Sequence, residues 1–148
     1  MTKKKKILIS VAVAFGVLLI FYCALCAYLT FKGREIVLTV AENFGVWEEL
    51  PEDMKKIVPK ELSTFINYRE YHGDDIGEWQ KEYYEDINQC GNFYTVVILD
   101  TAYVHYRYTH KWLSYDGELG PGSHNIPCTL ILKFSDFQWK VADYHEPP

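Results

Sequence analysis

The chain has 148 residues, which suits one small domain, and its 49% apolar content excludes a disordered protein. Its formal charge of −5 is unevenly spread: all twenty acidic residues lie at or after Glu35, accompanied there by only nine basic residues. Because nucleic-acid binding needs clustered Lys and Arg, this acidic part excludes a nucleic-acid partner. Four cysteines are too few for a disulfide-stabilised mini-protein.

The first element along the chain is an uncharged apolar run over residues 7–31. At about 1.5 Å of rise per residue it forms a helix of about 37 Å, enough to span a hydrocarbon core of about 30 Å. Four lysines precede it, so the positive-inside rule predicts an N-terminus in the cytoplasm. The sequence thus predicts a cytoplasmic tail (1–6), a single transmembrane helix (7–31) and an extracytoplasmic domain (35–148).

A cleaved signal peptide is the alternative for this segment, since it also combines lysines with an apolar run. The apolar core of such peptides spans about 7–15 residues, and this run is much longer. Cleavage after Cys26 or Ala27 would follow an unsuitable sequence. We therefore expect an uncleaved anchor in the cell membrane.

Helical signals follow the anchor. Apolar residues recur at helical spacing at Val37, Val40, Ala41 and Phe44, which predicts that a helix continues from the membrane segment after Gly33. A short helix is predicted from Pro51 and another over residues 60–69. A further apolar stripe predicts another helix, which ends before Gly91; the stripe consists of Ile76, Trp79, Tyr83 and Ile87.

After Asn92 the periodicity becomes alternating. Residues 93–108 are rich in β-branched and aromatic side chains and predict one long strand, with the even-numbered positions as the core face. Residues 111–118 predict a second strand after a turn near Tyr108, followed by a loop rich in Gly and Pro. Residues 128–134 and 138–145 predict a hairpin around Ser135 and Asp136. Helices followed by a four-stranded antiparallel, bent sheet define an α+β domain.

This order of elements, closed by the hairpin LILKFSDFQWKVADYHE, resembles the NTF2-like or cystatin-like exported domains of bacteria. The resemblance covers residues 35–146 and implies a bent sheet rolled around a core. Such domains include pocket enzymes, assembly proteins with one membrane anchor and proteins of unassigned role. The resemblance brings no catalytic motif, so it assigns no residue a function.

Asp100 is the one acidic residue on the apolar face of the predicted long strand. A carboxyl group in the interior of such a fold can act as a base or as a protonated donor, which makes Asp100 a candidate pocket residue. Alternatively, Asp100 marks a β-bulge where the strand bends.

Metal and cofactor sites have no supporting motif. His105, His110, Asp143, His145 and Glu146 lie in the strand region, but none has the close spacing of a metal-binding motif. We therefore expect no metal and no cofactor.

Cys90 and Cys128 are the two thiols of the predicted outer domain. Neither carries the local signature of a nucleophile, and no other catalytic motif occurs, so nothing in the sequence supports an enzymatic activity. A disulfide between them is chemically possible outside the cytoplasm. The strand register expected from a turn near His110 holds them far apart, so two free thiols are predicted.

Aromatic residues are abundant beyond the anchor, with ten of the twelve tyrosines and all four tryptophans. Some of them must be exposed, and exposed aromatic surface favours contact with a protein partner. Tyr84, Tyr103 and His105 are the candidates for such contact.

The sequence therefore predicts a membrane-anchored interaction or assembly module of the cell envelope. Two alternatives stay open: a small-molecule-binding protein or enzyme built around Asp100, and a membrane-held immunity protein or inhibitor.

Overall fold

The structure is a computed structural model that describes residues 3–43, 46–66 and 83–146. One long helix, α1 (Lys3–Glu42), precedes a 3₁₀ helix (Trp47–Glu49) and two short helices, α2 (Glu52–Lys55) and α3 (Lys60–Ile66). Four strands follow, and they are β1 (Tyr83–Ile98), β2 (Thr101–Ser114), β3 (Leu119–Ser135) and β4 (Gln138–His145). They form one antiparallel sheet in the order β1-β2-β3-β4, which confirms the α+β class. The sheet is open.

Helix α1 is continuous from the apolar run into the domain, as predicted. Its N-terminal half, to Ala24, is exposed almost throughout, whereas Leu29, Ile36, Val37 and Val40 are fully buried. Phe44, the last residue of the predicted stripe, lies outside the described residues. The helix thus has one exposed apolar half and one half that belongs to the core.

Gly33 marks the closest approach between α1 and the sheet. A Cβ atom at this position would lie 2.6 Å from Cγ1 and 2.8 Å from Cγ2 of Val104 in β2. Only a glycine allows this distance, and the helix continues through it despite the lower helical propensity of glycine. Nearby, Thr30 Oγ1 lies 2.8 Å from Thr95 Oγ1 in β1. The glycine is therefore a packing residue and does not interrupt the helix.

The single strand predicted over residues 93–108 is wrong. A two-residue turn at Leu99 and Asp100 divides it, and residues 94–98 of β1 pair with residues 101–105 of β2. The turn also exchanges the core face: odd-numbered Thr95 and Val97 are buried in β1, whereas even-numbered positions are buried in β2. A positive φ of 57° at Leu99 allows the turn without glycine, so the sequence carried no ordinary turn signal there.

The helix predicted before Gly91 is also wrong for the residues that the structure describes. Tyr83 and Ile87 lie in β1, and Ile87 pairs with Lys111 of β2. Pairing with β2 overrides the helical spacing of the apolar residues here, because strand formation depends strongly on its neighbours. Ile76 and Trp79 lie outside the described residues.

Strand β2 also ends later than the sequence predicts. Strand β2 runs past the expected turn near Tyr108 to Ser114, and Gly117 with a φ of 78° lies in the turn that follows. The closing hairpin is confirmed: Ser135 pairs with Gln138 across Asp136 and Phe137. Both turn residues have positive φ, as the tightest hairpin turns require.

The two short helices and the 3₁₀ helix cover the part of the buried sheet face that lies near β4. The backbone N–H of Val141 in β4 donates to the carbonyl of Ile57 at 2.7 Å, so the segment after α2 covers this edge of the sheet. The indole N–H of Trp47 donates to the carbonyl of Val58 at 3.1 Å. Together with α1 these contacts bury one face of the sheet, and no other element of the described ranges lies on the opposite face.

Replacing Gly33 with Ala should destabilise the domain, because the added methyl group meets the stiff, buried side chain of Val104. We expect a loss of about 1–2 kcal/mol in the free energy of unfolding, since overpacking outweighs the higher helical propensity of alanine. Chemical unfolding of the full chain in detergent micelles, followed by circular dichroism, measures it. Gly16→Ala is the matched control, because no atom lies within 4 Å of that position. Adding Val104→Ala to Gly33→Ala should recover part of the loss, and equal stabilities of the two glycine variants would contradict the contact.

Candidate functional site

The open face of the sheet carries an ordered array of side chains that run across all four strands. The strand register aligns three rows, which are Ile98-Thr101-Lys133-Lys140, Val96-Tyr103-Ile131-Asp143 and Tyr94-His105-Thr129-His145. We call this set the outer face. Its middle row begins with the aliphatic and aromatic side chains of Val96, Tyr103 and Ile131, Tyr94 in the next row is 58% exposed, and charged residues lie at the margins. An apolar centre with a polar margin is typical of protein-binding surfaces.

A shallow groove crosses the outer face beside His105. Its volume is about 260 Å³, and its lining residues are Asn92, Tyr94, His105, Tyr106, Arg107, Pro127, Cys128, Thr129 and His145. The rings of Tyr94 and His105 are stacked, with their centroids 4.7 Å apart. His105 Nδ1 lies 2.9 Å from Thr129 Oγ1, which fixes the orientation of the imidazole. The pre-arranged ring pair therefore forms one wall of the groove.

Arg107 provides the fixed positive charge of the groove. Its Nη1 donates to the carbonyl oxygen of Asn125 at 2.8 Å, and the side chain is exposed. A guanidinium held in this way keeps further N–H groups for an incoming acceptor such as a carboxylate. The groove can therefore hold one acidic or aromatic side chain of a partner. It is smaller than the pockets of about 300–1,000 Å³ that enclose small-molecule ligands.

The sequence candidates for partner contact fall on this surface in part. Tyr103 and His105 lie on the outer face in adjacent rows, each half-buried. Tyr84 lies in β1, but its side chain is outside the described part of the chain. Tyr94 and Arg107 were missed, because only the turn at Leu99 brings Tyr94 opposite His105.

Asp100 is not a pocket residue. It lies in the turn between β1 and β2, its side chain is 57% exposed, and its Oδ2 is 3.9 Å from Nζ of Lys133. The carboxylate also accepts a hydrogen bond of 3.0 Å from the Thr101 hydroxyl. The expectation of a carboxyl group in an apolar interior is wrong, because the chain reverses direction where the long strand was predicted to continue.

The buried face holds a cluster of hydroxyl and thiol groups behind the groove. The hydroxyl of Tyr144 donates to Sγ of Cys128 at 3.0 Å, and that of Tyr108 donates to Glu146 at 2.7 Å. Burial raises the pKa of the Cys128 thiol to about 11 and that of Tyr108 to about 12. Burial also raises the pKa of Tyr106 well above its usual range. These groups stay neutral at physiological pH and act in packing.

Cys90 and Cys128 form no disulfide in the structure. They lie on β1 and β3, on either side of β2, where Cys90 pairs with Tyr108 and Cys128 with Tyr106. Two strand spacings are about 10 Å, which exceeds the Cα separation of about 7 Å that a disulfide tolerates. The separation comes from the sheet order, whereas the sequence-based register placed Cys90 much farther along a single strand.

The histidines and acids considered for a metal site do not form one among the described residues. His105 and His145 share a row of the outer face, with Asp143 in the next row, and His110 lies farther along β2. Within the described ranges no group of three His, Cys, Asp or Glu side chains could hold a metal ion.

Comparisons of the chain with protein-family models, with curated protein sequences and with solved structures found no match. The outer face therefore has to be interpreted from its own geometry, and the NTF2-like or cystatin-like resemblance stays a prediction.

The thiol of Cys128 should react slowly with iodoacetamide at pH 8, because its raised pKa leaves little thiolate and its side chain is buried. Mass spectrometry of the full chain in micelles should show this site unmodified until denaturant is added. The denatured protein serves as the control. Rapid modification in the folded state, or a species two protons lighter than the reduced chain, would contradict the assigned environment.

Alkaline pH should destabilise the domain. Tyr106 and Tyr108 have a raised pKa when folded and an ordinary one, near 10, when unfolded, so the unfolded state releases protons first. Their contribution to stability is complete below about pH 10 and is lost as the pH rises towards 12. Chemical unfolding between pH 8 and 11 measures this dependence. Tyr106→Phe should reduce the slope, whereas the control Tyr94→Phe, on the exposed face, should leave it unchanged.

Proposed function

We propose that this protein is a single-pass membrane protein whose sheet domain lies outside the cytoplasm and binds another protein through the outer face. It would serve as an interaction or assembly module of the cell envelope. The observation that carries the proposal is the partly exposed aromatic and aliphatic centre of the outer face, on a sheet whose opposite face packs on α1.

The anchor is supported by the way in which α1 divides into two halves. Residues 7–24 are apolar and almost entirely exposed, and at about 1.5 Å per residue they extend about 27 Å, close to the thickness of a hydrocarbon core. Water is an unfavourable surrounding for so large an apolar surface. The lysines before it favour a cytoplasmic N-terminus.

Retention of the anchor is supported by its contacts with the sheet. Signal cleavage after Cys26 or Ala27 would remove Tyr22, whose hydroxyl donates to the carbonyl of Val97 at 3.3 Å. It would also remove Leu25 and Cys26, which pack against the core. A segment that contributes to the folded domain is poorly suited to removal.

A protein partner suits the outer face better than a small molecule does. The groove beside His105 is partly open to solvent, and its volume of about 260 Å³ accommodates one side chain of a partner. The rows around it offer flat apolar surface from Val96, Tyr103 and Ile131. Tyrosine side chains of this kind supply much of the binding energy in protein interfaces. An immunity protein or inhibitor would use the same face, and the identity of its partner would distinguish it.

Site-specific photo-crosslinking in membranes of cells that produce the full chain tests this function. A benzophenone amino acid in place of Tyr94 or Tyr103 should give one discrete adduct of the same partner. The control position is Lys56, which is exposed next to the short helices. Val96→Lys places a charge in the apolar centre and should abolish the adduct. Absence of adducts from both tyrosine positions, or the same adduct at Lys56, would contradict binding through the outer face.

The topology has its own test. A C-terminal reporter that is active only outside the cytoplasm should be active in the fusion, because the lysines hold the N-terminus inside. Activity of a cytoplasm-only reporter instead would reverse the orientation. N-terminal sequencing that begins near Ala27 would replace the anchored protein by a secreted one.

A further inference from the structure

Two hairpin turns lie at the same end of the sheet, beside the exposed half of α1. The carbonyl of Asp100, in the β1–β2 turn, accepts a hydrogen bond of 2.8 Å from the N–H of Phe134, just before the β3–β4 turn. We call the two turns, residues 98–101 and 134–138, the sheet tip.

The sheet tip points towards the N-terminus of α1. Along β1, Thr95 contacts Thr30 of the helix, and two residues later Val97 contacts Tyr22. The strand therefore runs towards the apolar half of the helix as it approaches its turn. Leu99 lies a further two residues along, about 7 Å beyond Val97. This brings the tip past Tyr22, at the end of the exposed apolar segment.

The side chains at the tip are apolar and fully exposed. Leu99 is 94% and Phe137 96% exposed, the highest values among the large hydrophobic residues that the structure describes, and Ile98 and Phe134 are also exposed beside them. Packing within the domain does not explain Leu99 and Phe137, because almost none of their surface is covered.

Leu99 and Phe137 also have a backbone conformation that is unusual for large apolar residues. Leu99 has a φ of 57° and Phe137 a φ of 60°, a region in which glycine or asparagine is favoured. A side chain of the L configuration is strained there, because its Cβ lies close to the following carbonyl oxygen. Two bulky apolar residues thus occupy turn positions where folding alone would favour small or polar ones.

Charged groups at the tip are arranged in neutral pairs. Lys140 Nζ lies 2.7 Å from Asp136 Oδ2, and Lys133 Nζ lies 3.9 Å from Asp100 Oδ2. Pairing limits the repulsion between these aspartates and anionic lipid, and the long lysine side chains can keep their charges at the level of the headgroups.

We propose that the sheet tip inserts Leu99 and Phe137 into the lipid interface beside the anchor, so that the domain contacts the membrane at three points. The inference rests on the proposed membrane anchor. Apolar side chains inserted to the boundary between headgroups and acyl chains gain the burial that the protein does not give them. Tyr22 lies beside Val97, just before the tip, where the ring of a tyrosine is favoured in the interface.

Tryptophan fluorescence in phosphatidylcholine vesicles with brominated acyl chains tests the insertion, because bromine quenches tryptophan on contact. The full chain is used, and the signal of the four native tryptophans is subtracted. Leu99→Trp and Phe137→Trp should each lose most of the added emission on bromination. The matched control is Tyr115→Trp, in the turn at the opposite end of the sheet, and it should lose none.

A fourth variant separates failure of the tip from failure of the anchor. Phe15→Trp lies in the exposed apolar half of α1 and should be quenched wherever the anchor spans the bilayer. Quenching at Phe15→Trp but at neither tip position would contradict insertion of the tip, while it would still support the membrane anchor. No quenching at Phe15→Trp would overturn the anchor itself. If one tip variant fails to show the strand signal in circular dichroism, the other decides.

Aqueous acrylamide distinguishes lipid from a protein that covers the tip. A lipid-inserted tryptophan should be protected from acrylamide and quenched by bromine. Protection from both quenchers would indicate a protein cover and overturn the proposal, and quenching by acrylamide alone would show that the tip lies in water.

Discussion

The contact between Gly33 and Val104 is the constraint on which the rest of the structure depends. It brings the backbone of α1 against β2, so that Leu29, Ile36 and Val37 can be buried on the same face of the sheet. Because a helix is rigid over this length, the exposed half of α1 then leaves the domain in one fixed direction. The same element therefore builds the core and carries the apolar segment, without a linker between them.

Because α1 covers one face of the open sheet, only the other face remains for contact with a partner. The buried face is filled by side chains such as Tyr106, Leu130 and Leu132, and its hydroxyl and thiol groups are satisfied within the core. The outer face has no helix over it among the described residues. The proposed contact with a partner uses its rows around Tyr103.

The sequence predicts those features that depend on local signals. The apolar run, the continuation of α1 and the closing hairpin around Asp136 each have a pattern that spacing reveals. The turn at Leu99 has none, because an apolar residue stands where glycine or asparagine would mark it. Without that turn, the sequence predicts one strand where the structure has two, and it assigns the wrong core face to β1. It also places Asp100 in the interior, whereas the residue lies in an exposed turn. The row from Tyr94 to His145 could not be predicted either, because it depends on this turn and on pairings between residues that are far apart in the sequence.

In the proposed role as a membrane anchor, α1 also restricts the partner, because no linker separates it from the domain. If the tip lies in the lipid interface, the strands rise from the membrane and the outer face stands beside it. The row that contains Ile98 then lies nearest the lipid, and the row that contains His105 lies about 13 Å farther along β1, by the rise of a strand. Flexibly tethered domains can turn to meet a partner, but a domain held by α1 and two inserted turns cannot. A protein that covers the outer face must therefore approach along the membrane, which favours partners that are themselves bound to it.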